Sequence, residues 1–334
     1  MQAYHLTAPS IDSLSLVDLP TPRPGPGEVL VRLRAASLNY LDLAVARGEF
    51  GNRPDPYIPV ADGAGDVAGV GPGVTRWQVG DRVVPGMMQA WHDGPIRAEY
   101  HEHLRGVTLP GSLAGFAVVS EASLVRIPDA LSYREAATLP VAATTAWNAI
   151  VAANVHPGST VVLLGTGGVS LFALQYAKAA GARVLVTSSS DAKLERARLL
   201  GADEIINYRT TPAWDDVVLE MTSGAGADLV LESVGAATFP RSLNAAALAG
   251  TVFVIGFVGG GQLDIPVAPI MLKTLSVVGN NTGSTADLER AVRAIAMNGL
   301  HPVIDEVFAF EDAAKAFRHL ENAGHVGKIV IDIA

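Results

Sequence analysis

A short glycine run is where this chain can do chemistry. Gly165-Thr166-Gly167-Gly168-Val169-Ser170 follows four apolar residues, 161–164, suited to a strand buried on both faces. Gly165 lets the chain turn tightly. Gly167 has no side chain, so backbone can approach a pyrophosphate. The N–H groups of the helix that follows, with Gly168 and Val169 in its first turn, face that anion. Ser170 replaces the third glycine of the usual G-x-G-x-x-G and is small enough to keep helix and strand close. A P-loop is excluded, because no Gly-Lys-Ser/Thr follows the turn. A second set of groups lies about 20 residues on, where an NAD site usually carries a carboxylate for the ribose 2′-hydroxyl. Here the chain reads Thr187-Ser188-Ser189-Ser190, with Asp191 the first acid and Lys193 and Arg196 beyond it. Hydroxyls with a nearby cation suit a 2′-phosphate, so NADP(H) is expected over NAD(H). Ser190 and Asp191 also read as ordinary helix-cap chemistry.

These groups need a strand, a helix and a second strand to hold them. Val169, Phe172, Ala173, Tyr176, Ala177 and Ala180 fall on one helical stripe, Gly181 stops it, and 183–187 is again apolar. That is the βαβ unit of a dinucleotide site. The alternation continues. Helices are expected at 191–200, 213–222 and 239–248, and strands at 204–207, 229–232, 251–256 and 275–279. This rhythm predicts an α/β fold with a doubly wound parallel sheet. Residues 1–125 read instead as β-rich, with short apolar runs between Pro/Gly turns and a long loop over 87–113. Ser132 with Glu135 forms a capping-box spacing for a helix at 133–139, and 142–153 reads as a further helix. A helix at 285–298 precedes strand, helix and strand at 303–308, 311–322 and 328–333, which are assigned back to the first domain.

Composition narrows the class. The chain has 334 residues, 49% of them hydrophobic, more than one core usually holds, so two domains are expected. A net charge of -9 and no basic run argue against nucleic acid. Cys is absent, which removes disulfides, thiolate catalysis and Cys-ligated zinc. No signal sequence or membrane-length apolar run is visible, so a cytoplasmic protein is expected. His92, Glu99, His101, Glu102 and His103 form a His-rich patch. His101 and His103 could share a strand face, but the ligand set is incomplete and a solvated loop is favoured.

With those residues in place, the chain resembles the medium-chain dehydrogenase/reductase superfamily. The matching stretches are PGPGEVLVRLRAASLNYLDLAVARG, IPVADGAGDVAGVGPGV, VGDRVV, AATLPVAATTAWNAI, GTGGVSLFALQYAKAAGARV, LGADEIINY, LVLESVG and HVGKIVI, in order along nearly the whole chain. The resemblance implies a GroES-like substrate domain at 1–125 and 285–334 around a Rossmann domain at 126–284. The active site would lie in the cleft between them. Zinc enzymes of the superfamily hold the catalytic metal through positions that are Asn39, Ala61 and Val141 here, none a good zinc ligand. The chain therefore looks like the zinc-independent branch, similar to quinone oxidoreductases and enone reductases. By position, Asn39 would donate to a substrate oxygen, Tyr40 would donate a hydrogen bond or proton, and Asp42 and Asp62 would steady them. Thr145, Gly165, Gly167, Gly168, Val169, Ser188, Ser189, Lys193, Tyr208, Gly235, Phe257, Asn280 and Asn281 would bind the cofactor. The 275–279 strand is the expected edge of a homodimer. The implied activity is hydride transfer from NADP(H) to a quinone or α,β-unsaturated carbonyl. The alternatives are a zinc-independent alcohol or aldehyde dehydrogenase and a catalytically silent NADP-binding protein.

Overall fold

The computed structural model describes residues 1–50, 56–265 and 267–333. It divides into two compact units: Met1–Thr144 with Thr282–Ala334, and Thr145–Asn281.

The second unit is built on apolar, β-branched runs too short for helices and buried on both faces. Val161–Leu163, Val184–Val186 and Leu229–Leu231 are fully buried. Six strands lie in the spatial order Glu204–Asn207, Arg183–Ser188, Thr160–Leu164, Ala227–Glu232, Ala246–Val254 and Ser276–Gly279, every pairing parallel. Numbered along the chain, this is 3-2-1-4-5-6, the doubly wound dinucleotide-binding order. Two elements depart from expectation. The helix predicted over 239–248 stops as Phe239–Ala245, and the next strand starts at Ala246 rather than 251. The Ala-rich run has no strong preference of its own, and pairing of Ala227 with Ala246 decides it. Gly226 permits that approach: a Cβ there would sit 2.8 Å from the Ala246 carbonyl carbon. The short helix Val267–Leu272 was not visible in the sequence, because none of its residues is buried and no apolar stripe marks it.

The first unit is organised on an eleven-residue strand, Glu28–Leu38, whose Val29, Val31, Leu33, Ala35 and Ala36 are fully buried. It pairs antiparallel with Asp62–Val70, Phe116–Ser120 and Lys328–Asp332. The C-terminal strand is therefore interior, with Ile304–Phe308 beyond it at the edge. The division falls at 144/145 and 281/282, not at 125/126 and 284/285. Polar contacts hold 126–144 to the first unit. Arg134 pairs with Asp332, His301 lies 2.6 Å from Glu135, and the Val141 N–H donates to Asp62. The predicted capping box at Ser132 and Glu135 is present.

The stretch at 87–113 holds one short 3₁₀ turn, Ala98–Glu102, and isolated bridges joining Met88 to Leu104 and Arg105 to Leu109, with His101, Glu102 and His103 exposed. His101 and His103 consequently share no strand face. Among the described residues no helix is long and apolar enough to cross a membrane.

Candidate functional site

In the first unit the chemistry gathers around one helix start. Asn39 occupies the N-cap of the helix Tyr40–Ala46, and Asp42 reaches back to it. Asp42 Oδ2 accepts from the Asn39 N–H at 2.7 Å, and Oδ1 from the Ala61 N–H at 2.8 Å. Asp62 opens the neighbouring strand. Its Oδ1 accepts from the Val141 N–H at 3.1 Å and its Oδ2 from Asn39 Nδ2 at 2.8 Å. A π-turn over Leu139–Ala143 presents the Val141 N–H, and such turns often mark functional positions. The three positions expected to match the zinc ligands of metal-dependent enzymes thus have their backbone N–H groups fastened to two buried carboxylates. Their side chains offer no matching donor set: Ala61 and Val141 have no ligand atom, and the Asn39 oxygen is engaged.

What engages it is Lys328. Lys328 Nζ donates to Asn39 Oδ1 at 2.5 Å and to the Leu38 carbonyl at 2.7 Å, and lies 3.5 Å from Asp62 Oδ2. An ammonium can only donate, and an ionised carboxylate can only accept. The Asn39 amide is therefore fixed in one orientation, oxygen toward Lys328 and nitrogen toward Asp62. One amide hydrogen goes to Asp62; the second remains for another acceptor. Lys328 was missed in the sequence. The available signal was a cation inside the apolar strand run Lys328–Asp332, where a charge must have a partner.

Arg105 was missed as well. It is buried, and its Nη2 donates to Ser112 Oγ at 2.8 Å. Ser112 Oγ in turn lies 3.3 Å from the Ala61 carbonyl. Burial pushes the Arg105 guanidinium down to about 10, opposed by the charge of Asp62. Burial also raises Asp42 to about 7, with Asp62 adding to the rise, and raises Asp62, with Lys328 opposing. Lys328 is lowered by burial against the pull of both acids. Two acids and two bases thus share one buried neighbourhood. Tyr40 begins the same helix and is 36% exposed.

In the second unit most of the predicted cofactor residues follow the carboxyl ends of the parallel strands, where open α/β sheets bind ligands, while Thr145 lies in the helix Thr144–Ala152 ahead of the first strand and Lys193 in the helix Asp191–Leu199. Gly165 has a φ of +81°, and a Cβ at Gly165 or Gly167 would meet nothing within 4 Å, so space lies in front of both. The helix Gly168–Ala179 follows with Gly167 as a cap without a side chain, and Val169 lies in its first turn. Its first N–H groups suit an anion. Ser170 explains its own substitution: it is buried, and its Oγ donates to the Leu164 carbonyl at 3.0 Å, tying helix to strand. Ser188 ends its strand buried, with Ser189 half-buried behind it and Lys193 in the next helix. Asp191, the nearest acid, accepts from Asn207 Nδ2 at 2.7 Å. The exposed Tyr208 donates its N–H to the Ser188 carbonyl.

Gly235 lies in a loop clamped by a residue the sequence reading did not single out. Glu232 is fully buried and accepts from the Val234 and Gly235 N–H groups at 2.8 and 2.9 Å, and from the Thr238 and Ser242 hydroxyls. Phe257 is exposed beyond its strand, and the Asn280 N–H donates to the Val254 carbonyl. Asn281 is half-buried and Thr145 buried. The residues named for the cofactor and those named for catalysis fall in separate units, Tyr40, Asn39 and Asp62 in the first.

A glycine turn before a helix on a 3-2-1-4-5-6 parallel sheet, in a chain that also carries a β-rich unit, is the pattern of a class of nucleotide-dependent oxidoreductase. Residues 25–129 match the family described as Alcohol dehydrogenase GroES-like domain, and residues 168–326 the family described as Zinc-binding dehydrogenase. The chain is 42% identical to the Zinc-type alcohol dehydrogenase-like protein of Schizosaccharomyces pombe, covering 92% of this chain and 91% of that one. It is 32% identical to a Quinone oxidoreductase of Pseudomonas aeruginosa, covering 92% of each. It is 29% identical to an Acryloyl-coenzyme A reductase of Metallosphaera sedula, covering 93% of each. Among solved structures, an NAD-dependent alcohol dehydrogenase superposes with a TM-score of 0.90 at 36% identity and full coverage of both chains. A crotonyl-CoA carboxylase/reductase, AntE, in complex with NADP, superposes with a TM-score of 0.90 at 25% identity, covering 100% of this chain and 95% of that one. The chain belongs to the medium-chain dehydrogenase/reductase superfamily. It is an NAD(P)-dependent oxidoreductase.

Proposed function

We propose that this enzyme is a zinc-independent, NADP(H)-dependent reductase of quinones or α,β-unsaturated carbonyl compounds. The observation that carries the reading is the Asn39 amide, pinned between Lys328 and Asp62 at a position where metal-dependent relatives carry a ligand. Ala61 and Val141 complete a set without donor side chains, and the adjacent ammonium of Lys328 opposes a second cation. The bound cofactor supplies the hydride.

The protein's own groups then act on the oxygen of the acceptor. The second Asn39 amide hydrogen donates to that oxygen as negative charge spreads onto it, and the rigid network spares the reorganisation water would need. Tyr40, exposed at the head of the same helix, is the proposed proton donor. Thr145, Gly165, Gly167, Gly168, Val169, Tyr208, Gly235, Phe257, Asn280 and Asn281 hold the dinucleotide. Ser188, Ser189 and Lys193 favour its 2′-phosphate, since the nearest acid is bound to Asn207.

A second reading, a zinc-independent alcohol or aldehyde oxidoreductase, draws on the alcohol dehydrogenase relatives. Without a Lewis acid to form an alkoxide, it asks more of Tyr40. Steady-state rates with NADPH and NADH, with and without chelator, across a panel of quinones, enones, aldehydes and alcohols separate the cases. Turnover of quinones or enones with NADPH, insensitive to chelator, is expected. Turnover restricted to alcohols and aldehydes supports the second reading. A preference for NADH removes the 2′-phosphate assignment, and turnover that vanishes on chelation and returns with zinc removes the metal-free mechanism. Tight NADPH binding with no turnover marks a silent binding protein.

A homodimer is proposed through the Ser276–Gly279 strand. It ends the six-stranded sheet, and its Val277 is 42% exposed.

A further inference from the structure

A second cluster of chemistry-bearing residues lies at the edge of the first unit's sheet, on elements that carry none of the proposed catalytic groups. Adjacent residues of a strand normally point to opposite faces. Asp305 and Glu306 are adjacent in the strand Ile304–Phe308, yet both approach His319 on the helix Ala313–Glu321. The reason is a bulge. The register of this strand against Lys328–Asp332 shifts between Ile304 and Glu306, and the extra residue re-aims the side chains. His319 Nε2 then lies 2.9 Å from Asp305 Oδ2 and 3.7 Å from Glu306 Oε2. One ligand atom from each of the three side chains lies within 4.8 Å of the other two.

We propose that Asp305, Glu306 and His319 form a binding site for a first-row divalent transition metal ion, zinc being the best match. Zinc bonds to imidazole nitrogen and carboxylate oxygen are about 2.0–2.2 Å, so tetrahedral ligands stand about 3.3–3.6 Å apart. The two separations at His319 bracket that distance, and small side-chain rotations close the set. One imidazole with two carboxylates selects a borderline cation over calcium or magnesium, which prefer all-oxygen shells.

The surroundings favour a cation. Asp305 Oδ1 accepts from the Val326 N–H at 3.0 Å, the kind of outer hydrogen bond that steadies a ligating carboxylate. The His319 ring packs against Phe308, centroids 5.7 Å apart, which limits its rotation. The nearby cations serve other acids: Lys315 pairs with Asp312, and Arg318 with Asp12 and Glu321. A shallow, open surface depression bordered by Glu306, Phe308 and His319 gives an ion and its remaining water ligands access. Bound there, the ion would fasten the bulged edge strand to the last turn of the helix. Its role is a structural clip.

The test uses the full chain with any affinity tag removed, after exhaustive dialysis against chelator. Co²⁺ titration followed by visible absorption, and Zn²⁺ titration by calorimetry, read stoichiometry and affinity for the wild type, Glu306→Gln and His319→Gln. One ion per chain is expected, weakened at least about tenfold in each variant. Zn²⁺ should raise the melting temperature of the wild type and not of the variants, while turnover by metal-free wild type is retained. Glu306 is half-exposed, so its variant decides the matter if His319→Gln does not fold. Absence of binding at millimolar metal overturns the site. So does binding that survives in Glu306→Gln but is lost in a His101→Ala/His103→Ala control.

Discussion

Asn39 illustrates how one side chain acquires direction from its neighbours. Its amide would be free to flip in water; here Lys328 and Asp62 leave one orientation. Replacing Asn39 with Ala is expected to lower kcat about 10²–10³-fold with the preferred acceptor, the scale of losing one oxyanion donor, and to leave the Kd for NADPH unchanged. Stopped-flow hydride transfer and fluorescence titration check both. Tyr40→Phe separates proton donation from packing: a fall in kcat is expected, and unchanged kcat and kcat/KM would leave the proton to water. Lys328→Met strands Asp62 without its counter-charge and should cost about 3–5 kcal/mol in urea unfolding. Asp42 supplies a pH dependence. Folding raises it to about 7, so the folded state holds its proton more tightly than the unfolded chain does. Its contribution is complete at about pH 4 and below and is lost as pH rises through about 7. Urea midpoints between pH 5 and 8 should therefore decline more steeply in the wild type than in Asp42→Asn, which cannot titrate. Asn39, Asp42 and Asp62 could be singled out in the sequence because they lie near one another in recognisable stretches. Lys328 lies 289 positions from Asn39, and nothing local announces that distance closing.

At the scale of elements, period and punctuation were enough for most of the second unit. The run at 204–207 there, and the helix at 285–298 in the first unit, stand as predicted, because Gly201, Ser284 and Gly299 mark their limits through chemistry that is local. The misplaced helix end and strand start have one cause. The stretch 245–249 is nearly all alanine, which fits helix or strand, and only its partner across the sheet chooses. Glu232 shows the same limit for sites, since its donors become visible only once the loop folds back over it. Glu232→Gln would point an amide N–H₂ at backbone and hydroxyl donors. The expected result is a loss of about 1–3 kcal/mol in stability and a raised KM for the nicotinamide cofactor, with kcat at saturation less affected. Gly235→Ala should be more severe. Its φ is +92°, and a Cβ would stand 2.6 Å from the Gly260 carbonyl oxygen.

For the molecule as a whole, the proposed dimer edge makes a prediction that no single residue carries. Light scattering should return twice the chain mass. Val277→Lys, which sets like charges against each other across a two-fold contact, should return one. The first unit is assembled from both ends of the chain, with its last strand set between two others. Residues 145–281 form a continuous stretch whose sheet is complete as soon as it leaves the ribosome. The earlier 144 residues must wait, with Asn39 and Asp62 already made but without their ammonium, until the final strand is synthesised. A translation product stopped just before Lys328 would therefore carry an unneutralised acid and an open seam in its sheet. Such a chain is a natural substrate for chaperones and proteases, and pulse-labelled nascent chains should become protease-resistant in that order.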